Sequence, residues 1–223
     1  MSFNLWFRFK VAGYLNLLSV LKDLRYIKSI FRCYEGGFYM LAVAYDYVSY
    51  DEFLIYSKDN NLSMEYFNGE IICMSPTHPK HNKVQNELYF QLRSLLDCGK
   101  CDVYTSDVAV KFEVDEEKYQ FEPDVMVVCD DKFTGSIYTG VPKLVIEVLS
   151  KATEDRDLGI KLDVYEHCGV EEYWIVDINK QEITVYKHNV NGNFKYRLIY
   201  GVESELIWNG KSLKLEDVFK GIM

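Results

Sequence analysis

Apolar and polar positions follow two different periods along the chain, which predicts a mixture of helices and strands. Between His78 and Leu96 the apolar residues recur every three or four positions, the spacing of one face of a long amphipathic helix. The segment from Lys143 to Ser150 is almost continuously apolar, which is typical of a strand buried on both faces. No Pro-rich or Ser-rich linker interrupts residues 51–217. The pattern therefore favours a single mixed α/β domain.

Shorter elements complete the predicted order. Further helices are predicted over Tyr50–Lys58, Glu154–His167 with Gly169 as its C-cap, and Leu213–Phe219. Further strands are predicted over Val103–Phe112, Phe121–Val128 and Glu172–Asp177. Hairpins are predicted across Asn68-Gly69 and Asn191-Gly192, the second joining Glu182–His188 to Phe194–Tyr200. We expect a mixed central β-sheet flanked by helices.

Composition and charge exclude several classes of protein. The chain has 223 residues, 48% hydrophobic and 26% charged, so it can bury a sizeable core and is not a disordered chain. No apolar run approaches the roughly 18 residues that a membrane-spanning helix needs. The 25 basic and 34 acidic residues give a net charge of −9, which repels phosphate at long range. This balance argues against a protein that coats nucleic acid, but not against an enzyme that uses a local divalent cation.

The charge divides the chain into two parts. Residues 1–39 contain six basic and two acidic residues, a net +4, which leaves −13 for residues 40–223. We expect residues 1–39 to be a peripheral extension, either amphipathic or disordered, with a signal peptide as the alternative. Residues 40–223 are expected to form one domain.

The six cysteines include one close pair, Cys98 and Cys101, and are otherwise scattered. A zinc site would require a second ligand pair at matching spacing, which the sequence lacks. The pattern predicts reduced thiols in a cytoplasmic protein.

Two carboxylates occupy positions where burial is costly. Glu147 stands in the apolar run, on the strand face of Val145 and Leu149, and an unpaired buried carboxylate costs several kcal/mol. Asp124 follows Pro123, which marks a strand start or a bulge. An antiparallel pairing of the two segments would place the carboxylates side by side, where a hard cation such as Mg²⁺ or Mn²⁺ would offset their repulsion.

Lys161 is predicted to point at the sheet instead of solvent. On a helical wheel that starts at Leu158, Lys161 falls in the same arc as Leu162 and Tyr165. One interpretation is a structural lysine that pairs with Glu147 and holds the helix in place. The other is a catalytic lysine that polarises an attacking water or stabilises a pentavalent phosphorane. On the catalytic interpretation, Lys161→Met should lower activity by orders of magnitude and leave the fold intact or slightly stabilised.

In this order the residues resemble the Uma-type restriction endonucleases, a branch of the PD-(D/E)xK nuclease superfamily. The resemblance rests on Pro123-Asp124, on Glu147-Val148-Leu149-Ser150, on Asp157 with Lys161 and Tyr165, and on the run from Gly169 to Asp177. An upstream block includes Gly69-Glu70-Ile71, Met74-Ser75-Pro76 and His81. The resemblance covers roughly residues 45–200 and implies a restriction-endonuclease-like core, with divalent-metal cleavage of phosphodiester bonds.

Carried over by position, the resemblance implies a set of site residues. Asp124 and Glu147 would be metal ligands for Mg²⁺, with Mn²⁺ as a substitute. Lys161 would be the catalytic lysine and Glu70 an additional acidic member of the site.

One position departs from the superfamily pattern. Leu149 stands where the pattern has a lysine, two residues after the glutamate, so the positive charge must come from elsewhere. Lys161 is the first candidate and Lys151, just past the strand, is the alternative. His81 and Arg156 are possible accessory residues. His81 could contact a phosphate or orient Glu70, although a histidine at a helix start is more often a cap or a surface residue. Arg156 could face a phosphate.

The leading hypothesis is a magnesium-dependent endodeoxyribonuclease, cytoplasmic and homodimeric, with DNA as its substrate. The competing hypothesis is a non-catalytic homodimeric interaction protein that retains the nuclease fold. The −13 of residues 40–223 favours the competitor, because an acidic body repels DNA. The complete set of Asp124, Glu147 and Lys161 favours the enzyme.

Overall fold

The structure of the chain is a computed structural model that describes residues 47–60, 63–74, 76–96 and 99–222. The predicted extension over residues 1–39 lies outside these ranges, as does the proposed domain start at residue 40. Within them, every helix is too short or too polar to cross a membrane.

The described helices and strands follow the alternating pattern of the sequence. The helices are α1 (Tyr50–Asn60), α2 (Pro79–Leu95), α3 (Glu154–Asp157), α4 (Ile160–His167) and α5 (Leu215–Val218). The strands of the first half are β1 (Met64–Phe67), β2 (Glu70–Cys73), β3 (Asp102–Thr105), β4 (Ala109–Val114), β5 (Glu117–Phe121), β6 (Val125–Val128), β7 (Phe133–Thr134) and β8 (Ile137–Tyr138). Those of the second half are β9 (Leu144–Val148), β10 (Glu172–Asp177), β11 (Glu182–Asn189), β12 (Phe194–Gly201), β13 (Glu205–Trp208) and β14 (Lys211–Lys214).

The strands assemble into two mixed six-stranded sheets and one separate hairpin. The first sheet has the order β2-β1-β5-β4-β8-β7, and the second has the order β12-β11-β10-β9-β6-β3. Each contains one parallel pair, β4 with β8 and β9 with β10, among antiparallel neighbours. The predicted mixed α/β class with helices flanking mixed sheets is confirmed.

Two predicted strands are each split between the sheets. The strand predicted over Val103–Phe112 divides into β3 and β4 at a turn that contains Ser106. The strand predicted over Phe121–Val128 divides into β5 and β6 around Pro123, which cannot donate a ladder hydrogen bond. Because each division carries the chain from one sheet to the other, the two sheets meet beside these breaks.

The predicted helix over Glu154–His167 is also interrupted. Gly159 has φ −116° and ψ −106°, outside the helical region, and separates α3 from α4. A Cβ atom at this position would lie 2.8 Å from the Asp155 carbonyl oxygen. The break leaves Leu158 44% exposed, so its assignment to the apolar arc is wrong.

The C-terminal region contains a hairpin that the pattern did not predict. β13 and β14 pair across Asn209-Gly210, and the terminal helix is correspondingly shorter than the predicted Leu213–Phe219. The hairpin and this helix pack with α2 on one face of the second sheet.

The buried strand β9 separates two hydrophobic clusters. Ile146 and Val148 face the cluster that includes α2 and α5. Val145 and Leu149 face the cluster between the two sheets and α4. This alternation confirms burial on both faces and places the side chain of Glu147 between the sheets.

The prediction of reduced thiols is wrong in part of the described chain. Cys101 and Cys129 form a disulfide, and Cys73 is also disulfide bonded, whereas Cys168 is free. Cys101 precedes β3 and Cys129 follows β6, and these strands pair with Asp102 opposite Val128. The antiparallel register thus places the two cysteines opposite each other, although 28 positions separate them in sequence.

Candidate active site

Asp124 and Glu147 lie on neighbouring antiparallel strands, as the sequence predicted. The β6–β9 register pairs Val125 with Ile146, and one further step places Asp124 opposite Glu147. The Asp124 Oδ2 atom also accepts a hydrogen bond of 2.7 Å from the backbone N–H of Val148. This bond holds the Asp124 carboxylate beside β9, the strand that carries Glu147.

Lys161 is almost completely buried and lies among three carboxylates. Its Nζ atom is 2.8 Å from Glu65 Oε1, 3.0 Å from Glu147 Oε1 and 3.4 Å from Asp157 Oδ1. The lysine side chain is 1% exposed. Because Glu65 belongs to the first sheet and Glu147 to the second, the ammonium group joins the two sheets to the helical segment.

Aromatic side chains enclose this charged cluster. The Tyr165 hydroxyl, one turn along α4 from Lys161, donates a 3.1 Å hydrogen bond to Glu147 Oε1. The Tyr173 hydroxyl donates a 2.9 Å bond to the Asp157 carbonyl oxygen. These bonds satisfy polar atoms that would otherwise be isolated in an apolar interior.

The acidic residue that sequence reasoning missed is Glu65. It is completely buried, and its Oε1 atom accepts a 3.0 Å hydrogen bond from the Glu122 backbone N–H while it contacts Lys161. Glu70, which the resemblance selected, begins β2 opposite Phe67 and is not among the carboxylates that contact the lysine. The missed signal was the one used for Glu147, a carboxylate inside an apolar strand.

Burial and mutual charge shift the protonation equilibria of the cluster. Burial raises the pKa of Glu147 well above its usual range, and Lys161 opposes that shift. Burial also raises the pKa of Asp157. For Lys161 burial favours the neutral form, but Glu147, Glu65 and Asp157 outweigh it and raise the pKa well above 10.5. The lysine therefore remains charged, while Glu147 and Asp157 resist ionisation.

His81 lies against the carboxylate of Asp124. Its Nε2 atom is 3.1 Å from Asp124 Oδ2. Burial lowers the pKa of His81, and the hydrogen bond to Asp124 more than offsets this, so the net pKa is raised. His78, not His81, caps α2 by accepting a hydrogen bond from the Lys80 backbone N–H.

Gln85, also on α2, supports the same strand junction. Its Nε2 atom donates to the Asp124 carbonyl oxygen at 2.8 Å and to the Ser106 hydroxyl at 2.6 Å. One side chain thus ties together the two chain breaks at which strands pass between the sheets.

The arrangement of a carboxylate pair, a buried lysine and two mixed sheets can be compared with known proteins. The family model described as "Putative restriction endonuclease", Uma2, matches residues 50–221. The chain belongs to the Uma2 family. The family resemblance inferred from the sequence is therefore confirmed.

This Uma2 protein is also similar to one curated protein and one solved structure. An uncharacterized protein of Synechocystis is 29% identical over 180 residues, which cover 78% of this chain and 93% of the relative. A crystal structure described as a putative nuclease belonging to DUF820, from Anabaena variabilis, has a TM-score of 0.64 and 17% sequence identity. That match covers 79% of this chain and 99% of the other. The shared architecture supports the restriction-endonuclease-like fold class.

Asp124 and Glu147 are the candidate ligands for a cation in this Uma2 protein. The described residues contain no group of three or more His, Cys, Asp or Glu side chains arranged to hold a metal ion. A two-carboxylate site is still compatible with Mg²⁺, which often binds one or two carboxylates and completes its shell with water and phosphate oxygens. The hydrogen bonds and ion pairs described above engage Asp124 Oδ2 and Glu147 Oε1. Each carboxylate therefore has one oxygen that fits such a ligand role.

The remaining sequence candidates lie around the cluster. Lys151 is exposed in the turn after β9, and it is Lys161 that contacts Glu147. Arg156 lies on α3, partly exposed, with its Nε atom buried and without a hydrogen-bond partner among the described residues. The Glu65 Oε2 and His81 Nδ1 atoms are also buried and have no hydrogen-bond partner among the described residues. The cluster thus keeps unused hydrogen-bonding capacity on both its acidic and its basic members.

Proposed function

We propose that this Uma2 protein is a metal-dependent endodeoxyribonuclease, with Mg²⁺ as its cofactor and Mn²⁺ as a substitute. The observation that carries the proposal is the contact between Lys161 and Glu147, next to Asp124 on the neighbouring strand. On this proposal, Lys161 on α4 supplies the ammonium group that the superfamily pattern places two residues after the glutamate, where this chain has Leu149. A buried cluster of this cost is hard to account for as scaffold alone.

The chain's residues would divide the work. Asp124 and Glu147 would hold the cation, which supplies charge stabilisation to a phosphate oxygen and lowers the pKa of a bound water. Lys161 would place its positive charge where negative charge develops on the phosphate. His81 would orient Asp124, since its Nε2 atom contacts the same carboxylate oxygen as the Val148 N–H. Glu65 would act as a positioning residue by holding the Lys161 ammonium from the opposite sheet.

The test is cleavage of supercoiled plasmid DNA by purified protein. We expect nicking with Mg²⁺ or Mn²⁺, none with a chelator, and DNA binding without turnover in Ca²⁺. Glu147→Ala and Asp124→Asn should abolish cleavage, whereas Lys100→Gln, an exposed substitution on a turn away from the cluster, should cleave normally. Equal nicking by the wild type with and without chelator would refute the assignment.

The second candidate is a non-catalytic homodimeric protein with the same fold. Its support is the net charge of −9, which disfavours DNA. On this account the protein would sediment as a dimer and neither bind nor cleave DNA in any divalent metal. Nicking that Glu147→Ala removes would exclude it, whereas homodimerisation alone would not, because we propose a homodimer for the nuclease as well.

A further inference from the structure

The hairpin of β11 and β12 is a basic segment in an acidic chain. Residues 182–201 contain three Lys or Arg residues and one acidic residue, Glu182, a net +2, although the whole chain carries −9. β12 is the edge strand of the second sheet, and most of its residues are exposed. Lys195 and Arg197 on this edge strand are therefore exposed to solvent.

Two of these basic residues, Lys195 and Arg197, share the sheet face of Glu147. The pairing registers align Glu147 with Ile175, Thr184 and Ile199 on consecutive strands. Lys195 and Arg197 alternate with Ile199 on β12 and therefore point to the same face. Three strand spacings of about 4.8 Å place β12 about 14 Å from Glu147. This span corresponds to about four base steps of duplex DNA at about 3.4 Å each.

Arg197 is oriented by the neighbouring strand. Its Nε atom donates a 3.2 Å hydrogen bond to the Tyr186 hydroxyl, and the guanidinium carbon lies 5.8 Å from the centroid of that ring. Tyr186 in turn packs against the cluster between the sheets. The hydrogen bond engages one edge of the guanidinium group and leaves its terminal amino groups for an anion such as phosphate.

These two charges are not neutralised by the protein. Among the described residues, no carboxylate forms an ion pair with Lys195 or Arg197. Lys187, the third basic residue of the hairpin, is different because it lies opposite Glu172 in the β10–β11 register. The basic edge is accordingly defined as Lys195 and Arg197.

A polyanion fits the basic edge better than a second copy of the chain does. Antiparallel pairing of two β12 strands about Tyr196 would place Lys195 of one copy opposite Arg197 of the other, and like charges directly opposite are destabilising. A phosphodiester backbone supplies the opposite charge at a regular spacing.

We propose that the basic edge binds the phosphate backbone of DNA while the substrate occupies the site at Glu147. The proposal deepens the nuclease function and rests on it for the identity of the ligand. It also explains how an acidic protein can retain DNA, since two charges on an exposed edge act locally while the net field acts at long range.

The test is binding of a fluorescently labelled DNA duplex, measured by anisotropy in chelator so that cleavage plays no part. The double variant Lys195→Gln/Arg197→Gln removes two phosphate contacts, each worth about 0.9 in the slope of log affinity against log salt. We expect the slope to fall by about 1.8. The matched control, Lys100→Gln/Lys220→Gln, removes the same charge at exposed positions and should keep the wild-type slope. Melting temperatures of both variants establish that they are folded.

Two results would overturn the basic edge as a DNA contact. One is a wild type that binds no DNA even at low salt, and the other is an equal loss of slope in the double variant and its control. Cleavage with Mg²⁺ is scored separately. If the wild type binds DNA in a salt-dependent way, the double variant loses that binding, and the wild type does not cleave DNA, then the basic edge is a DNA contact and the proposed nuclease function is refuted. In a cleaving wild type, the double variant should raise KM with little change in kcat.

Discussion

At the scale of single residues, Lys161 carries the electrostatic balance of the site. One ammonium group faces the buried side chains of Glu65, Glu147 and Asp157. Removing one partner of a buried ion pair usually costs about 3–5 kcal/mol, because the remaining charge is left uncompensated. The expectation that Lys161→Met would leave the fold intact is therefore revised by the second and third carboxylates.

We predict that Lys161→Met lowers the free energy of unfolding by about 3–5 kcal/mol at pH 8 without metal. The folded pKa of Lys161 is raised, so its contribution to stability is complete below 10.5 and lost only as pH rises through the folded value. Urea unfolding at pH 8 measures the loss. Adding Glu65→Gln to Lys161→Met should recover part of it, and a double variant no more stable than the single would contradict the assigned balance.

The pH dependence from Glu147 has the same sign as that from Lys161 but begins at lower pH. Because its folded pKa is raised above 4.5, the protein gains stability as pH falls from neutral towards 4.5 and loses it as pH rises through the folded value. We predict that the melting temperature of metal-free protein falls between pH 5 and pH 8, and that Glu147→Gln makes this fall shallower. The exposed control Glu203→Gln should follow the wild type. A wild-type slope unchanged in Glu147→Gln would show that this carboxylate does not resist ionisation.

At the scale of elements, the break between α3 and α4 determines where Lys161 lies. The helical period correctly predicted an inward Lys161 because Val164 and Tyr165, on α4 itself, share its buried face. It misplaced Leu158 because the period assumes one continuous helix through Gly159. A backbone conformation that removes a residue from the helix is set by packing around it and is not visible in hydrophobic periodicity.

We predict that Gly159→Ala destabilises the protein by about 1–3 kcal/mol and reduces cleavage, because the added Cβ would lie 2.8 Å from the Asp155 carbonyl oxygen. Gly201→Ala is the matched control, since a Cβ there meets no atom within 4 Å. The melting temperature and the cleavage rate of both variants are measured and compared with those of the wild type. Wild-type values for Gly159→Ala would mean that the α3–α4 break does not position the lysine.

At the scale of the whole molecule, the sequence predicted most elements but not their distribution between two sheets. The turn signals at Asn68-Gly69 and Asn191-Gly192 gave both hairpins, and the apolar run around Glu147 gave the central strand. The crossing at Ser106 has no Pro or Gly to mark it, and Pro123 indicates a strand start or a bulge but not a passage to another sheet. The contact between Glu65 and Lys161 depends on the packing of one sheet against the other, which no local pattern encodes.

The central claim is that phosphodiester cleavage depends on the lysine that reaches Glu147 from α4. Single-turnover cleavage of DNA in Mn²⁺, with wild type, Lys161→Met and Lys151→Met compared at a pH where all three are folded, tests it most directly. We predict that Lys161→Met loses activity by orders of magnitude and that Lys151→Met, altered at an exposed position, cleaves at nearly the wild-type rate. A folded Lys161→Met that cleaves normally, or loss of cleavage confined to Lys151→Met, would contradict the account.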